Sequence, residues 1–277
     1  MNQALITSAV TLGQLQHKMD TTGNNLANMN TTGYKRRDVS FSDLLFQQVN
    51  NQSSLQHETG RQTHNGLRVG TGGAVAQTAV RFEQGSLSQT GRDLDIAMTE
   101  PGFFFELIGE DGQRQFTRDG AFYLSPNPNN ALENYLVNRS GEYVRSVDGQ
   151  PIAIPSNFND LNISESGNIN VTLNDGQNTV VNAGQLQIVN ITKPQLLEST
   201  GGNTLVFPNM EELELTIDDV LEEAAGSQVL MQRALEMSNV DMAKEMNDML
   251  QIQRGYQFNT RAISITDEMM GLVNNIR

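Results

Sequence analysis

Cysteine and tryptophan are absent from this chain of 277 residues, and histidine occurs three times, at His17, His57 and His64. Without cysteine there is no disulfide, no thiolate chemistry and no Cys-based zinc site. The absence also suits a protein that crosses from a reducing to an oxidising compartment. The histidines have neither metal-site spacing nor a Glu at a helical i+4 position, and each reads as a surface side chain. Basic residues are few: 18 Lys and Arg stand against 32 Asp and Glu, a net charge of −14. Such a surface repels phosphate backbones, so no nucleic-acid partner is expected. The opening MNQALITSAVTLGQLQHKMD has no basic n-region and no apolar run of signal length. No stretch approaches the roughly 18 apolar residues of a membrane-spanning helix. A soluble chain is expected, without direct membrane insertion and, if exported, without a cleaved general secretory signal.

What is present is largely neutral and polar. Hydrophobic residues make up 37% and charged residues 18%, and much of the remainder is Asn, Gln, Thr, Ser and Gly, which favour turns and polar strands. Helical periodicity is confined to the two ends. Leu5, Leu12, Met19 and Leu26 recur every seven residues, with Ser8, Leu15 and Thr22 between them. Met242, Met249, Tyr256, Ile263 and Met270 do the same, interleaved with Glu245, Ile252, Asn259, Thr266 and Val273. These are thin, partly polar heptad seams. Ser238 reads as the N-cap of the second helix, with Asp241 as the carboxylate three residues on. That helix is expected to run roughly 55 Å and the first roughly 35 to 40 Å.

Two readings of the seams stand open. The helices could pair with each other, parallel or antiparallel, and simply cap the domain. Alternatively they are assembly surfaces, because apolar residues also occupy their other faces: Ile6 and Val10 on the first, and Met246, Leu250, Phe258, Ile265, Met269 and Leu272 on the second. A solvated two-helix pair does not need them.

Between the ends, from about Val80 to Met210, short β-rich runs alternate with turn signals. Strands are expected at Phe103–Ile108 and Arg114–Thr117 around an Asp111-Gly112 turn, then at Tyr135–Asn138, Glu142–Val147, Ile152–Ile154, Ile169–Leu173, Leu186–Thr192 and Leu205–Phe207. Phe46–Ala79 reads as an extended linker or long surface segment. Thr216–Gly226 reads as a short capped helix leading back to the C-terminal one. The fold class is thus α+β: two long terminal helices packing as a coiled-coil-like pair, with a central, mainly antiparallel β domain. The segments are residues 1–35, 36–80, 81–215, 216–237 and 238–277, as assembly helix, linker, β domain, connection and second assembly helix.

No constellation for chemistry emerges. Asp93 and Asp95 share a face if they lie on a strand, but the adjacent Arg92 makes a structural ion pair the better account. GTGG at Gly70–Gly73 lacks the pattern of a phosphate loop. The methionines of the last quarter suit an adaptable helix interface. No catalytic residue, cofactor or metal is expected.

NNLANMNTTGYKR, containing Asn25, Leu26, Ala27, Asn28, Gly33, Tyr34 and Lys35, resembles the N-terminal signature of bacterial flagellar axial proteins, the rod and hook family. SNVDMAKEMNDMLQIQRGYQFNTRAISITDEMM resembles that family's C-terminal helix, and FEQGSLSQTGRDLDIAMTEPGFF and QFTRDGAFYL its central β motifs. The polar segment Phe46–Gly73 resembles the insertion of distal rod proteins. The resemblance implies a non-enzymatic subunit whose terminal helices pack, copy on copy, into a hollow torque-transmitting tube. It makes Leu5, Leu12, Leu15, Met19, Leu26, Met242, Met249, Tyr256, Ile263 and Met270 the expected assembly interface. It implies other rod and hook proteins as partners, unfolded passage through the flagellar type III export apparatus, and a place in the basal body outside the cytoplasmic membrane. Hook, cap or junction proteins of the same family are the alternative, and an independent β-rich binding protein or enzyme with dimerising helices is a third class.

Overall fold

A computed structural model of the chain describes residues 2–43, 46–49, 67–70, 73–109, 112–128, 130–208, 219–224 and 226–275. They divide into two compact units, one of Met1–Ala27, Arg37–Ala79 and Asp241–Arg277, the other of Asn28–Arg36 and Val80–Val240.

The first unit is built on α1 (Asn2–Ala27) and α2 (Met242–Asn275). Neither helix contains proline, so each runs without a backbone break. The pair is antiparallel: Asn25 hydrogen-bonds Glu245, and a Cβ on Gly255 would lie 3.6 Å from Leu15 Cδ1. The cap of α2 is Asp241 rather than Ser238. Asp241 Oδ1 accepts from the Ala243 and Lys244 amides at 2.8 and 3.2 Å, whereas Ser238 Oγ accepts from Val240 N in a turn three residues earlier. A carboxylate meets the helix dipole better than a hydroxyl does. The same unit holds β1 (Arg37–Asp43), β2 (Phe46–Val49), β3 (Leu67–Gly70) and β4 (Gly73–Val80), in which β1 pairs with β4 and β2 with β3. Within the expected extended segment the described residues are thus strands, GAVAQTAV carrying enough β-branched and small residues to pair despite its glycine-rich start. The run NNQSSLQ, with His57 and His64, lies outside the described residues.

The second unit contains β5 (Leu87–Gln89), β6 (Ile96–Met98), β7 (Phe103–Ile108), β8 (Arg114–Thr117), β9 (Tyr123–Pro126), β10 (Glu133–Val137), β11 (Tyr143–Val144), β12 (Ala153–Pro155), β13 (Phe158–Ile163), β14 (Asn168–Leu173), β15 (Val180–Gln185), β16 (Ile188–Ile191), β17 (Glu198–Gly201), β18 (Thr204–Val206), β19 (Leu221–Glu223), β20 (Leu230–Gln232) and β21 (Ala234–Glu236). Its main sheet runs β12-β10-β11-β7-β8-β18-β17, with β16 beside β7, β19 beside β16, and β9 beside β10. β13, β14 and β15 form a separate three-stranded sheet, and β20 pairs with β6 and β21 with β5. The pairings are antiparallel.

β7 explains why three phenylalanines stand in a row. Phe105 and Leu107 are buried in one apolar cluster with Phe122, Leu136 and Ile152, while Phe104 is buried in another with Phe116, Val189 and Leu205. A strand buried on both faces reads as a continuous apolar run. One sequence expectation fails here. Within Thr216–Gly226, Leu221–Glu223 is strand β19, paired with β16, because Leu221 is buried in the second apolar cluster. Residues 216–218 lie outside the description. Asp93 sits in a turn, and only Asp95 joins a β-bridge, with Ala121.

Candidate functional site

The signature that ends α1 divides between the two units. In the first, Asn25 is buried and its side-chain amide embraces one backbone unit: Arg37 N donates to Asn25 Oδ1 at 3.0 Å, and Asn25 Nδ2 donates to Arg37 O at 2.8 Å. The same Nδ2 reaches Glu245 Oε2 at 3.2 Å, so one carboxylate of α2 is buried against the end of α1. Leu26 is half-buried, and Ala27, the last helical residue, is exposed.

In the second unit the rest of the signature is a turn locked into the β structure. Thr31 N donates to Asn28 O at 3.1 Å, and Gly33 N to Glu236 O at 2.9 Å. Gly33 has φ +67°, and a Cβ there would sit 2.5 Å from the Asp119 amide nitrogen, so the position needs glycine for both conformation and space. Tyr34 is buried. Lys35 is buried too, and its ammonium donates to Glu236 Oε1 at 2.6 Å and to Glu83 O at 2.8 Å. Glu236 Oε2 accepts from Arg118 Nε at 2.8 Å. Gly85 N also donates to Glu236 Oε1, at 2.9 Å. Arg118 reaches the Glu100 and Phe103 carbonyls and lies over the Phe104 ring.

One carboxylate therefore holds two buried cations from segments far apart in sequence. Burial pushes the Glu236 carboxyl up, but the charge and hydrogen bond of Arg118, then those of Lys35, outweigh it and leave it below the usual range. Burial pulls Lys35 below its ordinary value. Glu236 opposes that shift, and Arg118 reinforces it. Removing Glu236 would strand two cations, a loss of about 3–5 kcal/mol for a buried pair. Beside them, Asp119 Oδ1 accepts from Thr32 Oγ1 at 2.9 Å and Ala121 N at 3.2 Å, and burial raises its pKa.

On the helices, four residues of the interleaved set are buried, while Val273 of that set is exposed. Ile252, Glu245 and Thr266 of α2 and Thr22 of α1 are buried. Leu5, Leu12, Leu15 and Met19 of α1, and Met249, Tyr256, Ile263 and Met270 of α2, are half-buried, while Met242 is exposed. Large apolar side chains remain open within this unit: Ile6 at 63%, Leu250 at 52%, Phe258 at 75% and Ile265 at 56% exposure.

Asp95 pairs with Arg92 at 3.1 Å, but Asp93 pairs with Arg233 at 2.6 Å. The carboxylates are thus committed to different arginines, and only one of them to Arg92. Glu106, fully buried on β7, is held by Arg114 and Arg145. Among the described residues, no group of three His, Asp or Glu could hold a metal ion, and no helix is long and apolar enough to cross a membrane. Sequence reasoning missed Arg118 and Glu236. The available signal was a charge inside an otherwise β-like motif, RDG after QFT and Glu after AL.

Family models place the same three regions. A model described as flagella basal body rod protein matches residues 5–35, flagellar hook protein FlgE/F/G D1 domain matches 101–171, and flagellar basal body rod FlgEFG protein C-terminal matches 231–276. The chain is 38% identical to the flagellar hook-basal body complex protein FlhP of Bacillus subtilis, over all of both chains. It is 33% identical to the flagellar basal-body rod protein FlgG of Borreliella burgdorferi, over 100% of this chain and 99% of that one. With the FlgG of Bacillus subtilis it shares 29%, over all of both chains. The α1 signature, the β unit and α2 are matched together over the full length, and the chain belongs to the flagellar basal-body rod protein family.

Proposed function

We propose that the protein is a structural subunit of the flagellar basal-body rod, of the distal rod type, which polymerises through α1 and α2 into a hollow tube that transmits torque. The observation that carries this reading is the apolar surface left open on an antiparallel helix pair, centred on Leu250, Phe258 and Ile265. A heterologous contact repeated without closure makes a helical filament. The half-buried Met249, Tyr256, Ile263 and Met270 lie one or two residues away in sequence and so turn to a different side of α2; they are assigned to the same interface as its inner part. Partners are further copies and other rod and hook proteins. Passage through the flagellar type III export apparatus accords with a chain free of cysteine, and no chemistry is required of the subunit.

A second reading, another subunit of the hook–basal body complex, is favoured by one comparison: identity to the Bacillus subtilis FlhP is 38% against 29% to that organism's FlgG. Phe258→Asp separates assembly from folding, because the side chain is exposed within its own unit yet central to the open face. A charge buried at every repeat costs several kcal/mol per subunit. Cells carrying Phe258→Asp as their only copy should lack filaments while the purified variant keeps the wild-type melting transition of its β unit. Normal flagella on such cells would sink the reading.

A further inference from the structure

The chain passes between its two units four times, at residues 27/28, 36/37, 79/80 and 240/241. We infer that Asn239 is a clasp: one side-chain amide that ties together the three segments of the β unit ending at the last three of these passages. Arg36 N donates to Asn239 Oδ1 at 2.7 Å. Asn239 Nδ2 donates to Arg81 O at 2.8 Å and to Glu83 O at 3.1 Å. Arg81 N in turn donates to Arg36 O at 2.8 Å, so the segment entering β1 and the segment leaving β4 are also bonded to each other. Asn239 itself lies two residues before Asp241, the cap of α2.

The chemistry selects asparagine. The site presents one backbone N–H and two carbonyl oxygens, and an amide offers an acceptor on one atom and two donors on the other. The reversed amide would set oxygen against two carbonyls, so the partners fix its orientation. Aspartate keeps the acceptor for Arg36 but opposes the carbonyls with a negative oxygen. The clasp is separate from the helix cap, which Asp241 supplies, and meets the Glu236 cluster at one atom, Glu83 O, which also accepts from Lys35 Nζ. Its role is to hold the roots of β1, β4 and α2 at fixed positions relative to one another within the β unit. This goes beyond the rod reading and does not depend on it.

Amide hydrogen exchange on the dispersed full-length chain tests the assignment. In the wild type, the Arg36 and Arg81 amides should be protected. In Asn239→Ala both should exchange at least tenfold faster, while Gln187 and Ile152, bonded inside the β sheet, keep their wild-type rates. Asn239→Asp should speed Arg81 more than Arg36, because only the donor side is lost. Wild-type rates at Arg36 and Arg81 in Asn239→Ala would overturn the clasp. So would equal acceleration of Gln187 and Ile152, which would make Asn239 a general stability residue, or an unprotected Arg36 in the wild type. A rod reading refuted by normal flagella on Phe258→Asp cells would leave these exchange rates untouched.

Discussion

Gly33 shows how much one missing Cβ decides. Its φ of +67° costs an L side chain about 1–2 kcal/mol, and the Cβ would also collide with the backbone of Asp119 at 2.5 Å. Gly33→Val should therefore lower the stability of the β unit by at least about 2 kcal/mol in a urea titration and impair swimming. A titration superimposable on the wild type would show that the turn relaxes freely. Asp119 makes the opposite case. Its carboxyl titrates above the ordinary 3.8 because burial penalises the charge. An acid with a raised folded-state pKa is protonated more readily in the folded state, so its ionisation at neutral pH weakens folding. Asp119→Asn keeps an oxygen for Thr32 Oγ1 and Ala121 N but carries no charge. Its urea midpoint at pH 7 should exceed that of the wild type, and the gap should close as the pH falls towards 3.8. A gap that widens in acid would reverse the assignment.

At the scale of elements, periodicity and turn signals make both helices and much of the β unit legible: the strands expected at Tyr135–Asn138, Glu142–Val147, Ile152–Ile154, Ile169–Leu173, Leu186–Thr192 and Leu205–Phe207 overlap β10, β11, β12, β14, β16 and β18. Both terminal helices are legible because heptads repeat over many turns, and Phe103–Ile108 and Arg114–Thr117 because a turn signal follows an apolar run and the chain then returns as a short polar-aromatic strand. β13 and β15 were not, since FNDLNI and VVNAGQ carry Asn and Asp on strands with one wet face, and their pairing with β14 is a tertiary decision. The pairing of β19 escaped for the same reason, as an acidic LEE run imitates a helix until Leu221 finds its cluster. In the site, the Asn25–Lys35 signature is legible, but its partner Glu236 and the Arg118 bonded to that carboxylate are not, because a contact 201 residues apart in sequence leaves no local pattern. Helix energetics can still be read from sequence and space together. Gly255 lies inside α2, and a Cβ there would meet Leu15 at an ordinary 3.6 Å. Gly255→Ala should add about 1 kcal/mol of helix propensity without a clash. A stronger helical signal in circular dichroism of the dispersed subunit is the expected result. A weaker one would mean that the glycine serves a bend.

For the whole molecule, the question is which parts fold before assembly. The β unit has two apolar clusters and a fully buried sheet strand, so it can meet the entropy of its own ordering. The helical pair has less to draw on. Its most deeply buried seam includes Glu245, Thr22 and Thr266 beside Ile252, and its largest apolar side chains face outward. Ordering the backbone costs about 1–2 kcal/mol per residue, and a seam this polar returns little of that in a single copy. On the proposed rod reading, other subunits cover the open face and turn the balance. Limited proteolysis of the dilute, demonstrably monomeric chain should therefore cut within α1 and α2. It should leave a fragment that retains the β unit together with the signature from Asn28 onward, because Lys35 and Gly33 are bonded to Glu236 rather than to either helix. The same protease should spare both helices in assembled rods. Helices that resist digestion in the monomer would show that the pair is self-sufficient, and the outward apolar face would then need another explanation. Cleavage between Asn28 and Arg36 in the monomer would instead show that the signature folds only with the helices, and that the buried Lys35–Glu236–Arg118 cluster forms at assembly.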